Sequence, residues 1–170
     1  MTAYVALLRA VNVGGRKLVM AELKAVADKL GFDGARTYIA SGNLLFTSSD
    51  SESNVKSALE AALIDHMGKT VGVMVRTAKK MAAVAKANPF ASEPGSRVVA
   101  IFLDEAPPAD AAQMAKNVAD ERIALGTREI YVHYPSGQGQ SKLRIPAATA
   151  GTARNMNTVE KLAELAEEMA

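Results

Sequence analysis

Residues 36–47 read Arg-Thr-Tyr-Ile-Ala-Ser-Gly-Asn-Leu-Leu-Phe-Thr, in which two runs of strand-forming residues flank a Ser-Gly-Asn turn. Glycine and asparagine tolerate the left-handed backbone that a tight turn requires. The stretch therefore predicts a β-hairpin with strands over residues 36–40 and 44–47. The segments on either side of it determine which kind of sheet the hairpin joins.

A strand and a helix precede the hairpin. Residues 4–8 form a short apolar run of strand formers, and a polar loop with paired glycines follows at residues 12–17. Apolar side chains then recur at helical spacing from Met20 to Leu30, and Gly31 stands where a glycine can end a helix. This part of the chain predicts a strand, a loop and a helix.

A helix and a strand follow the hairpin. Ser49 and Glu52 fit a capping box, apolar residues repeat behind them at helical spacing, and Gly68 ends the pattern. Residues 71–76 predict a fourth strand. The resulting order, βαββαβ, is typical of the ferredoxin-like plait, in which two helices cover one face of a four-stranded antiparallel sheet.

The second half of the chain begins the same series again. A connecting helix is predicted over residues 78–87, and residues 98–103 predict a buried strand. The two prolines at 107–108 suit the first turn of a helix, because proline is tolerated there. The predicted helix carries Met114 and Val118.

The last part of the chain predicts a second hairpin within residues 122–134, a long loop over residues 135–154, and a final helix capped by Asn157. This second unit, βαββα, has no evident last strand. We therefore predict an α+β protein of two ferredoxin-like units, each an antiparallel sheet with helices packed on one face. The first domain is expected over residues 1–77 and the second over residues 78–170.

Composition excludes several kinds of chemistry. The 170 residues are 49% hydrophobic and 22% charged, which is typical of a globular protein with a real core. Because the chain contains no cysteine, it has no disulfide, thiolate zinc site or cysteine nucleophile. Two histidines, His66 and His133, are too few for a histidine-rich metal site, so we predict no metal and no cofactor.

The sequence gives no sign of membrane association. No run approaches the roughly 18 to 20 apolar residues of a membrane span, and the first residues lack the basic start and cleavage pattern of a secretion signal. We therefore expect a cytoplasmic protein without a membrane partner. The sequence leaves the oligomeric state open.

Acidic residues are absent from three stretches of the chain, residues 1–21, 34–49 and 130–159. The stretches hold seven positive charges, so with a net charge of +2 for the whole chain the remainder carries −5. They also contain Gly/Ser/Asn loops, whose amides, hydroxyls and backbone N–H groups can replace the water around an anion. This pattern predicts an anionic ligand. The seven cationic residues are Arg9, Arg16, Lys17, Arg36, Lys142, Arg144 and Arg154.

Individual motifs leave alternatives open. Residues 154–158 precede the final helix, whose free N–H groups and positive dipole end favour an anion, although an N-cap at Asn157 explains the same residues without a ligand. Residues 137–142 match neither the P-loop nor the dinucleotide fingerprint, so a surface loop is an equal interpretation. RNA-recognition sheets of this fold stack bases on several aromatic residues of their two central strands. The predicted central strands here contain Tyr4 and Phe46, so a base-stacking platform is disfavoured.

Five ordered segments resemble a bacterial family catalogued as domain of unknown function 1697. The resemblance implies two ferredoxin-like plaits and supplies no established activity. Met156 stands where the family usually has an aromatic residue, commonly tryptophan, and the helical insert that often follows Ser-Lys-Leu is missing after residue 143. The five segments are residues 4–15, 36–43, 88–90, 134–143 and 152–158.

The resemblance also suggests which residues form a site. Our leading hypothesis is a binding protein whose two plaits bring the loops into one basic, Gly/Ser/Asn-lined cleft for a phosphate-bearing small molecule or a nucleic acid. Three of the matching residues would supply charge, namely Arg9, Lys142 and Arg154, and the three asparagines would orient the ligand. The matching positions are Arg9, Asn12, Gly14, Ser41, Asn43, Ser141, Lys142, Arg154 and Asn155.

Two other hypotheses belong to different classes. An enzyme acting on a small phosphorylated or carboxylated metabolite would use Lys142 or His133 as an acid or base, although the sequence contains no Gly-x-Ser-x-Gly elbow. Alternatively, the motif residues lock the two plaits together. Arg154→Ala would then lower thermal stability without any effect of a ligand.

Overall fold

The computed structural model describes residues 1–9, 19–39 and 42–170. They form two α+β units. The first unit comprises Met1–Ala82 together with Leu162–Ala170, and the second comprises Ala83–Lys161. The α+β class predicted from the sequence is confirmed.

The first unit has the predicted order βαββαβ. Its four strands form one antiparallel sheet in the order β2-β3-β1-β4, which is the ferredoxin-like arrangement. A further helix follows β4 directly. The elements are β1 (Thr2–Leu8), α1 (Met20–Lys29), β2 (Asp33–Thr37), β3 (Asn43–Ser48), α2 (Glu52–Met67), β4 (Val73–Thr77) and α3 (Ala78–Lys86).

The core of this unit lies on one face of its sheet. Alternate residues of β1, Tyr4 among them, join the apolar stripes of α1 and α2 there, because successive side chains of a strand point to opposite faces. Phe32 and Phe46 stack with ring centroids 4.3 Å apart, and Tyr4 lies 5.8 Å from Phe46. These aromatics are therefore core residues rather than an exposed stacking surface.

The helix ends were predicted in part. Gly31 and Gly68 adopt φ values of +80° and +72° at the ends of α1 and α2, as the sequence predicted. The capping residue of α2 was predicted wrongly, because Ser51 rather than Ser49 accepts the backbone N–H of Asn54, at 3.2 Å. In a helix that begins at Glu52, the residue directly before it is the one within reach of that N–H.

The second unit repeats the sheet but not the helices of the first. Its antiparallel strands have the order β6-β7-β5-β8, which matches β2-β3-β1-β4 strand for strand. Its strands are β5 (Val98–Phe102), β6 (Arg122–Leu125), β7 (Glu129–His133) and β8 (Thr152–Asn155). The helix α4 (Met156–Met169) follows β8, and its residues from Leu162 onward belong to the first unit.

The strand β8 corrects the prediction that this unit lacks a last strand. It pairs with β5 from Phe102↔Thr152 to Val99↔Asn155. Its sequence, Thr-Ala-Arg-Asn, is short and polar, as edge strands often are, and therefore has no apolar strand signature. Gly151 allows its close approach to β5, since a Cβ there would lie 2.6 Å from the side chain of Ile101.

The helix predicted after residues 107–108 does not form. Residues 109–114 are a series of turns, and Met114 and Val118 are 56% and 50% exposed rather than buried. Asn117 has a φ of +59°, a left-handed conformation that an α-helix cannot contain. The periodic apolar spacing gave a wrong prediction here, because Ala111, rather than Met114 or Val118, is the residue of this segment that is buried in the core.

Irregular segments therefore cover one face of the second sheet. Val99, Ile101, Ile130 and Val132 form the apolar floor on that face. Ala111 and the segment 143–148 pack over it, where the first unit uses helices. None of the described helices of the chain is long and apolar enough to cross a membrane.

Candidate functional site

The predicted site residues fall into three groups. Asn12, Gly14 and Ser41 lie outside the described residues. Arg9 and Asn43 lie in the first unit, and the remaining four lie in the second. Those four are Ser141, Lys142, Arg154 and Asn155.

In the first unit, Arg9 is exposed and Asn43 is fully buried. The backbone N–H of Arg9 donates to the carbonyl of Gly72 at 2.9 Å. The Asn43 amide donates to the carbonyl of Tyr38 at 2.9 Å, and the Asn43 carbonyl accepts the Tyr38 N–H at 3.1 Å. Asn43 therefore closes the β2–β3 hairpin.

In the second unit, the loop that holds Ser141 and Lys142 lies against two carboxylates. The Ser141 hydroxyl donates to Glu121 Oε2 at 2.5 Å, and the Ser136 hydroxyl donates to Asp120 Oδ2 at 2.5 Å. The hydrogen bond from Ser141, together with that from the Ala119 N–H at 2.7 Å, holds the pKa of Glu121 below its usual value. The stretch is free of acids in the sequence but not in space.

Lys142 and Ser141 also line a cavity of about 310 Å³ with these two carboxylates. A surface that combines one lysine with Asp120 and Glu121 carries no excess of positive charge. The other lining residues are Asn117, Ala119, Ser136, Gly137 and Gln140.

Arg154 is half-buried on β8, where it pairs with Ala100 in the centre of β5. Burial lowers the pKa of its guanidinium to about 10, and Nη1 donates to the carbonyl of Ala153 at 2.9 Å. Cross-strand partners share a face of the sheet, so Arg154 lies on the face opposite to Ile101 and the apolar floor. Arg154 and the loop segment 143–148 are on different sides of this sheet.

Asn155 is the N-cap of α4. Its Oδ1 accepts the N–H of Thr158 at 2.9 Å. The prediction that Asn157 caps this helix was wrong, because the helix begins at Met156 and Asn157 is an exposed residue of its first turn.

The last strands of the two units, β4 and β8, are similar to each other in pairing register and in the residues at their ends. Arg76 on β4 pairs with Val5 in the centre of β1, the same register as Arg154 with Ala100. Thr77 follows Arg76 and caps α3 by accepting the N–H of Lys80 at 3.2 Å, as Asn155 caps α4. In each unit a strand therefore ends in an arginine and a capping residue, a correspondence that the sequence alone did not reveal.

His133 is buried, and both of its ring nitrogens have neighbours. Arg122 Nη2 lies 2.9 Å from Nδ1, and Glu93 Oε2 lies 3.5 Å from Nε2. Because a guanidinium only donates, Nδ1 is the acceptor and Nε2 carries the proton. Phe90 packs 5.8 Å from the imidazole, with Arg122 stacked 5.1 Å above the Phe90 ring.

A second concavity of the second unit contains two cationic residues that lie outside the nine predicted site positions. A cavity of about 470 Å³ lies on the apolar face of the sheet and includes Lys116 and Arg144 in its lining. No carboxylate lines it. We call it the basic cavity, and its lining residues are Ile101, Lys116, Tyr134, Leu143, Arg144, Ile145, Pro146, Ala148 and Thr149.

Lys116 and Arg144 are held directly opposite each other. The Lys116 N–H donates to the Arg144 carbonyl at 2.7 Å, and the Arg144 N–H donates to the Lys116 carbonyl at 2.9 Å. A hydrogen-bonded antiparallel pair places its Cα atoms about 5.5 Å apart with both side chains on one face. Both side chains are exposed, and neither forms an ion pair within the described part of the chain.

Tyr134 also lines the basic cavity. Its side chain is buried, the residue being 8% exposed, and its phenolic oxygen has no hydrogen-bond partner among the described residues. Burial, reinforced by the charge of Glu121, raises the pKa of this phenol above its usual value.

Sequence reasoning missed the basic cavity for identifiable reasons. Lys116 fell within a predicted helix that does not form, so its partner could not be inferred. Arg144 lies in an acid-free stretch but outside the motif positions carried over from the family. The alternation Leu143-Arg144-Ile145, with an exposed cation between two apolar residues, was the one local signal of a strand-like segment.

Comparison with known proteins identifies the family. The pattern of the family described as "Protein of unknown function (DUF1697)" matches residues 1–131, which is most of the chain. The chain belongs to this family. Within this DUF1697 protein, the matched range includes Lys116 and ends in β7, before Tyr134 and Arg144.

One solved structure supports the fold over the whole DUF1697 chain. A conserved bacterial protein from Streptococcus pneumoniae is 28% identical, with 97% of this chain and 98% of that chain covered and a TM-score of 0.80. An unknown protein from Galdieria sulphuraria is 12% identical, with 99% and 92% covered and a TM-score of 0.29. None of the curated proteins matches the chain.

The described residues of this DUF1697 protein contain no group of three or more histidine, aspartate or glutamate side chains placed to hold one ion. His66, for example, has Glu22 as a neighbour, with Nε2 and Oε2 3.0 Å apart. The ligand chemistry available in the basic cavity is that of cations, a hydroxyl and apolar walls.

Proposed function

We propose that this DUF1697 protein binds a small anionic ligand in the basic cavity of its second unit. The observation that carries the proposal is the pairing of Lys116 with Arg144 across two backbone hydrogen bonds, without a carboxylate in the lining. Like charges directly opposite each other in an antiparallel pair are destabilising. A bound anion would remove that repulsion and gain charge-assisted hydrogen bonds from both side chains.

The proposed ligand is an anion, as the acid-free stretches predict. The proposed site, however, is the basic cavity rather than the nine motif positions. Arg144 belongs to one of those stretches, whereas Lys142 of the same stretch lies beside Asp120 and Glu121. That the nine motif positions form one site for a phosphate-bearing molecule or a nucleic acid stays a prediction. So does the cytoplasmic location, which cell fractionation tests.

An enzyme acting on a small metabolite is the alternative, and it has less support. His133 has a neighbour at each ring nitrogen, so neither nitrogen is open to a substrate in this arrangement. Lys142 remains exposed, but it shares its cavity with two carboxylates that would repel an anionic substrate.

Titration with inorganic phosphate and with acetate, followed in amide NMR spectra, tests the proposal. We expect saturable shifts that are largest around residues 116, 144 and 149, and a loss of binding in Lys116→Gln and Arg144→Gln. Lys69→Gln is the matched control, because it removes the same charge from an exposed site in the first unit. The proposal is wrong if neither anion gives saturable shifts, or if the control loses as much affinity as the two cavity variants.

A further inference from the structure

We infer that the natural ligand of the basic cavity is a small amphipathic carboxylate, with its carboxylate at Lys116 and Arg144 and an aliphatic or aromatic body against the apolar wall. The inference rests on the proposed function and narrows it to one class of ligand. Three features of the cavity support the inference: its apolar lining, the hydroxyl of Tyr134, and the absence of glycine and of a free helix N-terminus in the lining.

Part of the lining of the basic cavity is apolar. Ile101 and Ile145 are buried members of the core on this face, and Leu143 and Ala148 are partly buried against it. At about 470 Å³, the cavity is near the lower end of the range for small-molecule sites. A ligand held by charge alone would leave this wall in water, whereas an apolar body would cover it.

The Tyr134 hydroxyl adds a third polar contact. The Tyr134 side chain is 8% exposed and its hydroxyl has no partner among the described residues, so the hydroxyl can donate to a ligand. A carboxylate has two oxygens and can accept from the guanidinium and from a neutral donor at the same time. The Thr149 hydroxyl, by contrast, already donates to the Pro146 carbonyl at 2.8 Å.

The lining suits a carboxylate better than a phosphate group. Phosphate sites commonly rely on backbone N–H groups of glycine-rich loops and of helix N-termini. No glycine lines the basic cavity, and the short helical turn beside it, Pro146–Ala148, begins with a proline that has no N–H. Two cations and one hydroxyl are sufficient for the two oxygens of a carboxylate.

A homologous series of carboxylates tests the inference. Dissociation constants for acetate, butyrate and hexanoate are measured on the full chain by amide NMR or calorimetry, with hexanol as the uncharged control. We expect affinity to rise about fourfold for each added methylene until the wall is covered. Hexanol should bind about tenfold more weakly than hexanoate or not at all, because it lacks the charge-assisted contacts.

Two variants separate the wall from the phenol. Tyr134→Phe keeps the ring and should weaken hexanoate about threefold to tenfold. Leu143→Ala should weaken hexanoate by a similar factor and leave acetate unchanged, because acetate is too short to cover the wall. Amide spectra of the free variants show whether each is still folded, and Lys69→Gln again controls for net charge.

The outcomes distinguish the two proposals. If phosphate and acetate bind at the cavity but affinity does not grow along the series, the anion site stands and the amphipathic carboxylate is refuted. If hexanol binds as tightly as hexanoate, the cavity is an apolar site and the inference is also refuted. If no anion binds, the proposed function itself fails.

Discussion

At the scale of single residues, some polar side chains of this protein have specific hydrogen-bond partners, whereas the buried hydroxyl of Thr152 has none among the described residues. Asn43 and Ser141 are satisfied by specific neighbours, Tyr38 and Glu121. The Thr152 hydroxyl on β8 is buried, with the residue 2% exposed, and has no partner among the described residues. A buried hydroxyl without a hydrogen bond costs free energy that a partner would have offset.

Thr152→Val should therefore increase the free energy of unfolding, by about 1 kcal/mol and at most about 3 kcal/mol. Valine keeps the branched shape of threonine and replaces the hydroxyl with a methyl group. Urea unfolding measures the change. Thr149→Val is the control, because it removes a hydroxyl that donates to Pro146 and should be slightly destabilising. A less stable Thr152→Val variant would contradict the assignment.

The hydrogen bond from Ser141 to Glu121 makes a prediction about pH. Because the folded pKa of Glu121 lies below its unfolded value, the bond stabilises the fold above the unfolded pKa, at about pH 4.5 and higher, and this contribution is lost as the pH falls through the folded pKa. In Ser141→Ala the pKa of Glu121 should move back towards its usual value. NMR titration of the Glu121 carboxyl measures it, and an unchanged pKa would show that Ser141 is not the cause.

At the scale of elements, strand ends and helix starts are coupled. Each of β4 and β8 passes directly into a helix through a capping residue, Thr77 or Asn155. The cap satisfies an N–H that the first turn of the helix leaves free. The position of the cap therefore sets where each strand stops.

Asn155→Ala should lower the free energy of unfolding by about 1 kcal/mol, since it removes the cap of α4. Asn157→Ala, the matched control two residues later, should have almost no effect because Asn157 is an exposed residue of the first turn. Thermal or urea unfolding compares the two variants. The reverse ranking would mean that α4 starts later than the structure shows.

The elements also show what the sequence can reveal. The βαββαβ order, both hairpins and the glycine ends of α1 and α2 follow from local periodicity and turn chemistry. The strand β8 and the turns over residues 109–114 do not, because β8 pairs with β5 and the turns pack on the apolar floor through Ala111, and both partners are distant in sequence. The same limit hid the basic cavity, whose two cations are 28 residues apart in the chain.

At the scale of the whole molecule, the two units have sheets with the same strand order, but different kinds of structure pack on those sheets. The first sheet is covered by helices and the second, on one face, by irregular segments. Irregular segments leave concavities that regular helices would fill. Among the described residues, the second unit has one cavity lined by two carboxylates and a lysine and another lined by two cations.

Arg154→Ala distinguishes the basic cavity from the cleft predicted from the sequence. Arg154 lies on the opposite face of the sheet from Ile101, so the variant should leave the affinity for acetate and hexanoate unchanged. It should lower the melting temperature, because a half-buried side chain is lost. If affinity falls as far as in Arg144→Gln, the ligand is bound by the motif residues instead.

The most direct test of the central claim is the location of a bound carboxylate in a crystal. A crystal structure with ω-bromohexanoate, whose bromine is found by anomalous scattering, reports the position of the apolar body independently of the carboxylate. We predict bromine density against Leu143 and Ile145, with the carboxylate between Lys116 and Arg144. Bromine density that is absent from the basic cavity in a fully soaked crystal, or that lies instead beside Arg154, would contradict the account.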